Sequence, residues 1–73
     1  MVYNLKKGGE NMLKDLREKH GLTQSKLEHL SGVSDKTISR IENGDRNVSL
    51  VTLERLADFF EVSIDQIIEI KKR

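Results

Sequence analysis

Residues 23–41, TQSKLEHLSGVSDKTISRI, contain two short apolar patterns at helical spacing, Leu27 with Leu30 and Ile38 with Ile41. Each pattern begins at a hydroxyl residue, Thr23 or Ser34, of the kind that caps the N-terminus of a helix. Only the segment SGV at 31–33 separates the two patterns. A turn of about three or four residues that contains glycine is typical of two helices that cross at a wide angle. The stretch therefore predicts a helix-turn-helix, with Ile38 and Ile41 on the buried side of its second helix.

The second helix of this motif presents polar side chains opposite its isoleucines. On a helical wheel Lys36, Ser39 and Arg40 point outward, with Asp35 and Thr37 on the flanks. Lysine and arginine can donate to guanine O6 and N7, and serine or threonine can bond to several base edges. Such side chains also form ordinary solvated helix faces. The preceding helix and turn favour the first interpretation, which is contact with a DNA groove.

Helical patterns flank the motif on both sides. A first helix begins near residue 12 and ends before Gly21, and a fourth helix follows Ser49. The fourth carries the strongest apolar period of the chain, formed by Leu50, Leu53, Leu56, Ala57 and Phe60. Ser63 and Gln66 form a capping box for a last helix. These patterns predict an all-α fold, a compact five-helix bundle in which helices 2 and 3 form the helix-turn-helix.

The composition limits the domain organisation and the function. We predict one domain at 11–70, between a flexible arm at 1–10 and a basic tail at 71–73. The chain has no cysteine, and His20 and His29 lack accompanying ligands, so we expect no metal site. No nucleophile and base stand together, and we expect no enzyme activity, cofactor or small-molecule substrate. No apolar run is long enough for a membrane span, which favours a cytoplasmic protein.

Charge is distributed unevenly along the chain although the net charge is only +1. Residues 48–70 carry Arg55 as their only basic residue among several acidic ones, and the last three residues are all basic. A nucleic-acid surface usually has a basic excess. Any such surface on this chain is therefore a local patch.

Five segments of the chain match a known sequence pattern: Leu22-Thr-Gln-Ser-Lys-Leu, Leu30-Ser-Gly-Val-Ser, Thr37-Ile-Ser-Arg-Ile-Glu-Asn-Gly, Leu53-Glu-Arg-Leu-Ala and Val62-Ser. Together they resemble the Cro/C1 (XRE) helix-turn-helix family over roughly residues 12–70. That family comprises phage repressors, bacterial regulators, controller proteins and some antitoxins. The resemblance implies the phage-repressor type of DNA-binding fold, with the third helix reading base edges.

The resemblance also implies roles for individual residues. Gln24 would contact a phosphate, and its position also allows contact with the first base pair, unless it is only a capping residue with no partner. The positions that read or clamp the DNA correspond to Ser34, Asp35, Lys36, Thr37 and Arg40, and those that touch its backbone correspond to Asn43 and Arg46. Asp35 would either accept from cytosine N4 or cap its helix. Arg17 and Glu42 match a structural ion pair between the first and third helices.

Three positions depart from the family pattern: Asp35, which is acidic on the reading helix, Val48, where proline is common before the fourth helix, and Glu28. Glu28 stands where alanine is usual, in the helix that precedes the reading helix. We expect its carboxylate to bend outward, toward Lys36 or Arg40, and to compete there with phosphate.

A single helix-turn-helix reads few base pairs, and the family usually binds a palindrome as a two-fold dimer. The last helix has an apolar excess and, together with the nearby Phe59, is a candidate dimer interface; its apolar side chains are Ile64, Ile67, Ile68 and Ile70. The alternative is that these side chains complete the core of one chain. We expect a sequence-specific transcriptional regulator, a repressor that binds double-stranded DNA as a homodimer. The rival interpretation is an antitoxin or antirepressor-like module that holds a protein partner such as a toxin.

Overall fold

The computed structural model describes residues 12–68, which form four α-helices followed by one short 3-10 helix. The helices are α1 (Met12–Lys19), α2 (Gln24–Ser31), α3 (Asp35–Glu42) and α4 (Leu50–Phe60), and the 3-10 helix is Ile64–Gln66. The described residues contain no β-strand, which confirms the all-helical fold class. The predicted arm at 1–10, the basic tail and Ile70 lie outside the described residues.

The sequence predicts a fifth α-helix, whereas the described residues after α4 contain only the single 3-10 turn. Its hydrogen bonds run from Ile67 N–H and Ile68 N–H to the same carbonyl oxygen, that of Ile64, at 2.7 and 3.1 Å. Gln66 Oε1 accepts from Ser63 N–H at 3.3 Å, as expected of the predicted capping box. Within residues 12–68, this short turn suffices to bring Ile67 and Ile68 into the core.

Three of the predicted caps are present. The hydroxyls of Thr23, Ser34 and Ser49 each accept a backbone N–H from the residue three positions later, at 3.0 to 3.1 Å. Each such bond satisfies a donor that the first turn of a helix leaves unpaired and stabilises the fold by about 1 kcal/mol. These local bonds fix where α2, α3 and α4 begin.

A glycine ends α2 and allows the sharp turn into α3. Gly32 has a φ of 83°, in the left-handed region, and its N–H donates to Glu28 O at 2.9 Å. A residue with a Cβ would be strained in this conformation. Val33 follows with 5% exposure and joins the core at the bend.

The core is built from apolar side chains of every described helix. Its buried members are Leu13, Leu27, Val33, Ile38, Ile41, Leu53, Leu56, Ala57, Phe60, Ile67 and Ile68. Leu30 and Leu50, which the apolar patterns include, are 47% and 61% exposed. Leu30 is rotated by about 60° from the buried Leu27, because three residues fall short of a full helical turn. Leu50 lies in the first turn of α4, whose buried residues start at Leu53.

Candidate nucleic-acid interface

α3 is held to the rest of the molecule by two isoleucines. Ile38 and Ile41 are 0% and 1% exposed, as the sequence pattern predicts. On the other side of the helix Lys36 and Arg40 are exposed, and Ser39 is half-buried. The helix is therefore buried on one side and presents cationic and hydroxyl groups on the other, in the arrangement that the helical wheel predicts.

The N-terminal turn of α3 is rigidly capped by its own hydroxyls. Ser34 Oγ accepts Thr37 N–H at 3.1 Å and donates to Thr37 Oγ1 at 3.0 Å. The side chain of Lys36, in contrast, makes no hydrogen bond or ion pair within residues 12–68. Lys36 is thus the cation of α3 that is most available to an external partner, whereas Ser34 and Thr37 are held in place.

The side-chain carboxylate of Glu28, a residue of α2, lies at the N-terminus of α3 and not against the cations of that helix. Its Oε1 accepts from Asp35 N–H at 3.4 Å. The expectation that Glu28 turns toward Lys36 or Arg40 is therefore wrong. The backbone N–H groups at a helix N-terminus attract a carboxylate, and no ion pair joins Glu28 to Lys36 or Arg40 within residues 12–68.

A buried ion pair joins α1 to α3. Arg17 donates from Nε and Nη2 to the two carboxylate oxygens of Glu42, at 2.7 and 3.0 Å, and from Nη1 to Leu22 O at 2.8 Å. Arg17 and Glu42 are only 8% and 7% exposed. The hydrogen bond to Glu42 is the main cause that raises the pKa of Arg17, while burial acts in the opposite direction. The pair implied by the family resemblance is present and fixes α3 against α1.

Gln24 extends this ion pair to the N-terminus of α2. Its Nε2 donates to Glu42 Oε1 at 3.0 Å, and the side chain is partly buried. An amide nitrogen carries two N–H donors, so one remains for a phosphate after the bond to Glu42. Sequence reasoning missed the internal bond, because Gln24 and Glu42 are distant in the chain.

Arg40 has partners in the loop that follows α3. Its Nε donates to Asp45 Oδ2 at 2.8 Å and its Nη2 to Asn47 O at 2.9 Å. Asn47 N–H donates to the other oxygen of Asp45, Oδ1, at 2.8 Å. The bond from Asn47, followed by that from Arg40, lowers the pKa of Asp45. Asp45 is a site residue that the sequence did not predict, although Gly44 indicates a turn that returns the chain toward α3.

Asn43 and Arg46, the two residues predicted to touch the DNA backbone, lie at the start of this loop and within it. Asn43 is the C-cap of α3 and is exposed. Arg46 is also exposed and makes a long contact of 3.4 Å from Nη1 to Asp45 O. Both side chains can therefore reach a partner outside the chain.

The apolar candidates for a dimer interface separate into two groups. Ile67 and Ile68 are 1% and 7% exposed within a single chain, so they belong to its core and have little surface to offer a second copy. Phe59 and Ile64 are half-buried and pack against the core from outside. The predicted interface is therefore reduced to Phe59 and Ile64 among the described residues.

Two general features of residues 12–68 bear on other kinds of site. They contain no group of three or more histidine, cysteine, aspartate or glutamate side chains placed to hold a metal ion. None of the helices in this part of the chain has the length and apolarity needed to cross a membrane.

Comparison with known proteins agrees with this geometry. A family model described as helix-turn-helix matches residues 13–67. The chain belongs to this helix-turn-helix family. This helix-turn-helix is of the XRE type, as the sequence resemblance implies, and members of the family are associated with DNA binding and transcription regulation.

The helix-turn-helix chain matches one relative over most of its length and another, larger relative over only a part. It is 43% identical over 60 residues to an HTH-type transcriptional regulatory protein of Pyrococcus abyssi, covering 82% of this chain and 19% of that protein. The chain thus spans about a fifth of that relative. It is also 43% identical over 58 residues to an HTH-type transcriptional regulator of Methanocaldococcus jannaschii, covering 80% and 88% of the two chains.

A solved structure resembles the helix-turn-helix chain in fold. The restriction-modification controller protein C.AhdI from Aeromonas hydrophila matches with a TM-score of 0.69 and 34% sequence identity. The match covers 81% of this chain and 86% of C.AhdI. The helical arrangement is therefore shared over most of both chains.

Proposed function

We propose that the chain is a sequence-specific transcriptional repressor that inserts α3 into the major groove of its operator. The observation that carries the proposal is the two-sided character of α3. Ile38 and Ile41 anchor one side in the core, and the other side presents Lys36 and Arg40. The major groove is wide enough for a helix, and its base edges distinguish all four base pairs.

In this proposal the residues divide into base readers and backbone contacts. The base readers lie on α3 and are Asp35, Lys36, Ser39 and Arg40, with Ser34 and Thr37 clamping its first turn. Gln24, Asn43 and Arg46 touch phosphates on either side of the groove. Phosphate contacts set the register of the protein on the duplex, and base contacts supply sequence preference.

A two-fold dimer on a palindrome follows from the small size of one reading helix. Two copies place their α3 helices in successive major grooves, roughly 34 Å apart. The acidic residues of α4, such as Glu54 and Asp58, are exposed and in this proposal point away from the DNA. Phe59 and Ile64 are the described apolar side chains with surface left for the second copy. Occupancy of a promoter by such a dimer blocks transcription.

Selection from random-sequence duplexes tests the proposed function. We expect rounds of gel-shift selection at moderate salt to enrich an inverted repeat, with half-sites about one helical turn apart. Lys36→Ala is expected to lower affinity for the enriched site, whereas Lys14→Ala, an exposed lysine on α1, serves as the matched control. Failure to enrich an inverted repeat contradicts the proposal and favours the rival function, a module that holds a protein partner.

A further inference from the structure

The guanidinium of Arg40 has two edges, and the loop after α3 occupies only one of them. The occupied edge consists of Nε and Nη2, which donate to Asp45 Oδ2 and to the carbonyl oxygen of Asn47. The other edge consists of Nη1 and the second N–H of Nη2. No hydrogen bond from Nη1 is present within residues 12–68. A guanidinium has five donors in a fixed planar fork, so both N–H groups of Nη1 and one of Nη2 remain for a partner outside the chain.

The backbone at the end of α3 places Asp45 beside Arg40. Gly44 has a φ of 95°, and its N–H donates to Ile41 O at 3.0 Å. Asp45 N–H donates to Arg40 O at 2.9 Å. These two bonds form the Schellman arrangement, which folds the residue after the glycine back over the last helical turn. The backbone hydrogen bonds at the end of α3 therefore place the carboxylate of Asp45 next to the guanidinium of Arg40.

Both carboxylate oxygens of Asp45, in the loop that follows α3, accept hydrogen bonds. One carboxylate oxygen accepts Asn47 N–H at 2.8 Å and the other accepts Arg40 Nε at 2.8 Å. Arg40 then closes the ring by donating to Asn47 O. Arg40 and Asp45 side chains are 48% and 36% exposed, and an ion pair at such exposure contributes little to stability. The ion pair instead orients the long side chain of Arg40, which otherwise samples many rotamers.

We propose that Asp45 is a positioning residue that orders Arg40 before binding, so that the free Nη1/Nη2 edge reads a guanine. This inference rests on the proposed function, because it assigns a role within the DNA interface. Arginine bidentate to guanine O6 and N7 is the commonest specific contact in the major groove. Binding then loses less conformational entropy, because the side chain is already fixed. Asp45 thereby contributes to sequence preference without touching the DNA.

Two measurements on Asp45→Ala test the inference. In the free protein, the Nε–H signal of Arg40 in nuclear magnetic resonance is expected to exchange with water more slowly in the wild type than in the variant. In DNA selection, the variant is expected to lose about 2- to 12-fold in affinity for the preferred site, corresponding to ordering one long side chain. Its preference should relax at the same base pair that Arg40→Ala relaxes. The double variant should behave as Arg40→Ala does alone.

Asp58→Ala is the matched control for charge. Asp58 is exposed on α4, and its carboxylate makes no hydrogen bond or ion pair within residues 12–68. The control removes the same negative charge without touching Arg40. Tighter binding of all sequences by Asp45→Ala than by Asp58→Ala would show that Asp45 competes for Arg40, which overturns the inference. Equal Nε–H exchange in the wild type and Asp45→Ala overturns it independently of DNA. Failure of the wild type to select any sequence refutes the proposed function instead, and the role of Asp45 with it.

Discussion

Arg17→Ala is expected to lower the free energy of unfolding by about 3–5 kcal/mol. The substitution leaves the Glu42 carboxylate buried without its cation and removes the bond to Leu22 O. It also leaves Gln24 as the one partner of that carboxylate among the hydrogen bonds of residues 12–68. A small domain has a total stability of about 5–15 kcal/mol, so the loss is a large part of the whole. Urea unfolding monitored by circular dichroism measures it.

Two control variants separate the buried pair from charge in general. Lys19→Ala removes an exposed cation from α1 and is expected to change stability by no more than about 0.5 kcal/mol. The double variant Arg17→Met with Glu42→Leu removes both charges and is expected to be more stable than Arg17→Ala, since no unpaired ion remains. The pair is structural in this account, so folded Arg17→Ala should keep the base preference of the wild type. A changed preference, or a cost equal to that of Lys19→Ala, contradicts the assignment.

Ile38→Ala is expected to destabilise the domain by about 2–5 kcal/mol. Ile38 is 0% exposed and anchors α3 to the core, so truncation leaves a cavity under the proposed reading helix. Ile38→Val, which removes one methylene, is expected to cost about 0.5–1.5 kcal/mol. Chemical denaturation of both variants gives the two values and their order.

Val51→Ala is the matched control for this series. Val51 is 59% exposed on α4, and its truncation is expected to stay within about 0.5 kcal/mol of the wild type. The DNA affinity of Ile38→Ala should also fall at temperatures where most of the protein remains folded, because α3 no longer packs against the core through the full side chain of Ile38. An Ile38→Ala variant as stable as Val51→Ala would show that α3 is not anchored in this way.

Features that depend on neighbouring residues could be predicted from the sequence. The caps at Thr23, Ser34 and Ser49 are bonds over three residues, and the turn at Gly32 depends on the conformational freedom of one residue. The two sides of α3 follow from helical geometry alone. Such local rules therefore located the helix-turn-helix and its outward face.

Features that depend on tertiary contacts could not be predicted in the same way. Periodicity placed Leu30 and Leu50 in apolar stripes, but the shape of the core leaves both exposed. The segment at Ile64–Gln66 forms a 3-10 turn, although its isoleucine spacing suits an α-helix. Glu28 and Arg40 both bond to partners outside their own helices, which a helical wheel does not include. The partner of Glu28 is at a helix N-terminus, and that of Arg40 is in a loop. Each of these features depends on which residues lie close together in the folded chain.

Nuclear magnetic resonance of the backbone amides during titration with duplex DNA shows whether α3 is the helix that reads the DNA. We expect the largest chemical-shift changes in α3, at the N-terminus of α2 and in the loop of residues 43–47. The exposed acidic side of α4, around Glu54 and Asp58, should change little. Changes concentrated on α4, with α3 unaffected, would contradict the claim that α3 is the DNA-reading helix.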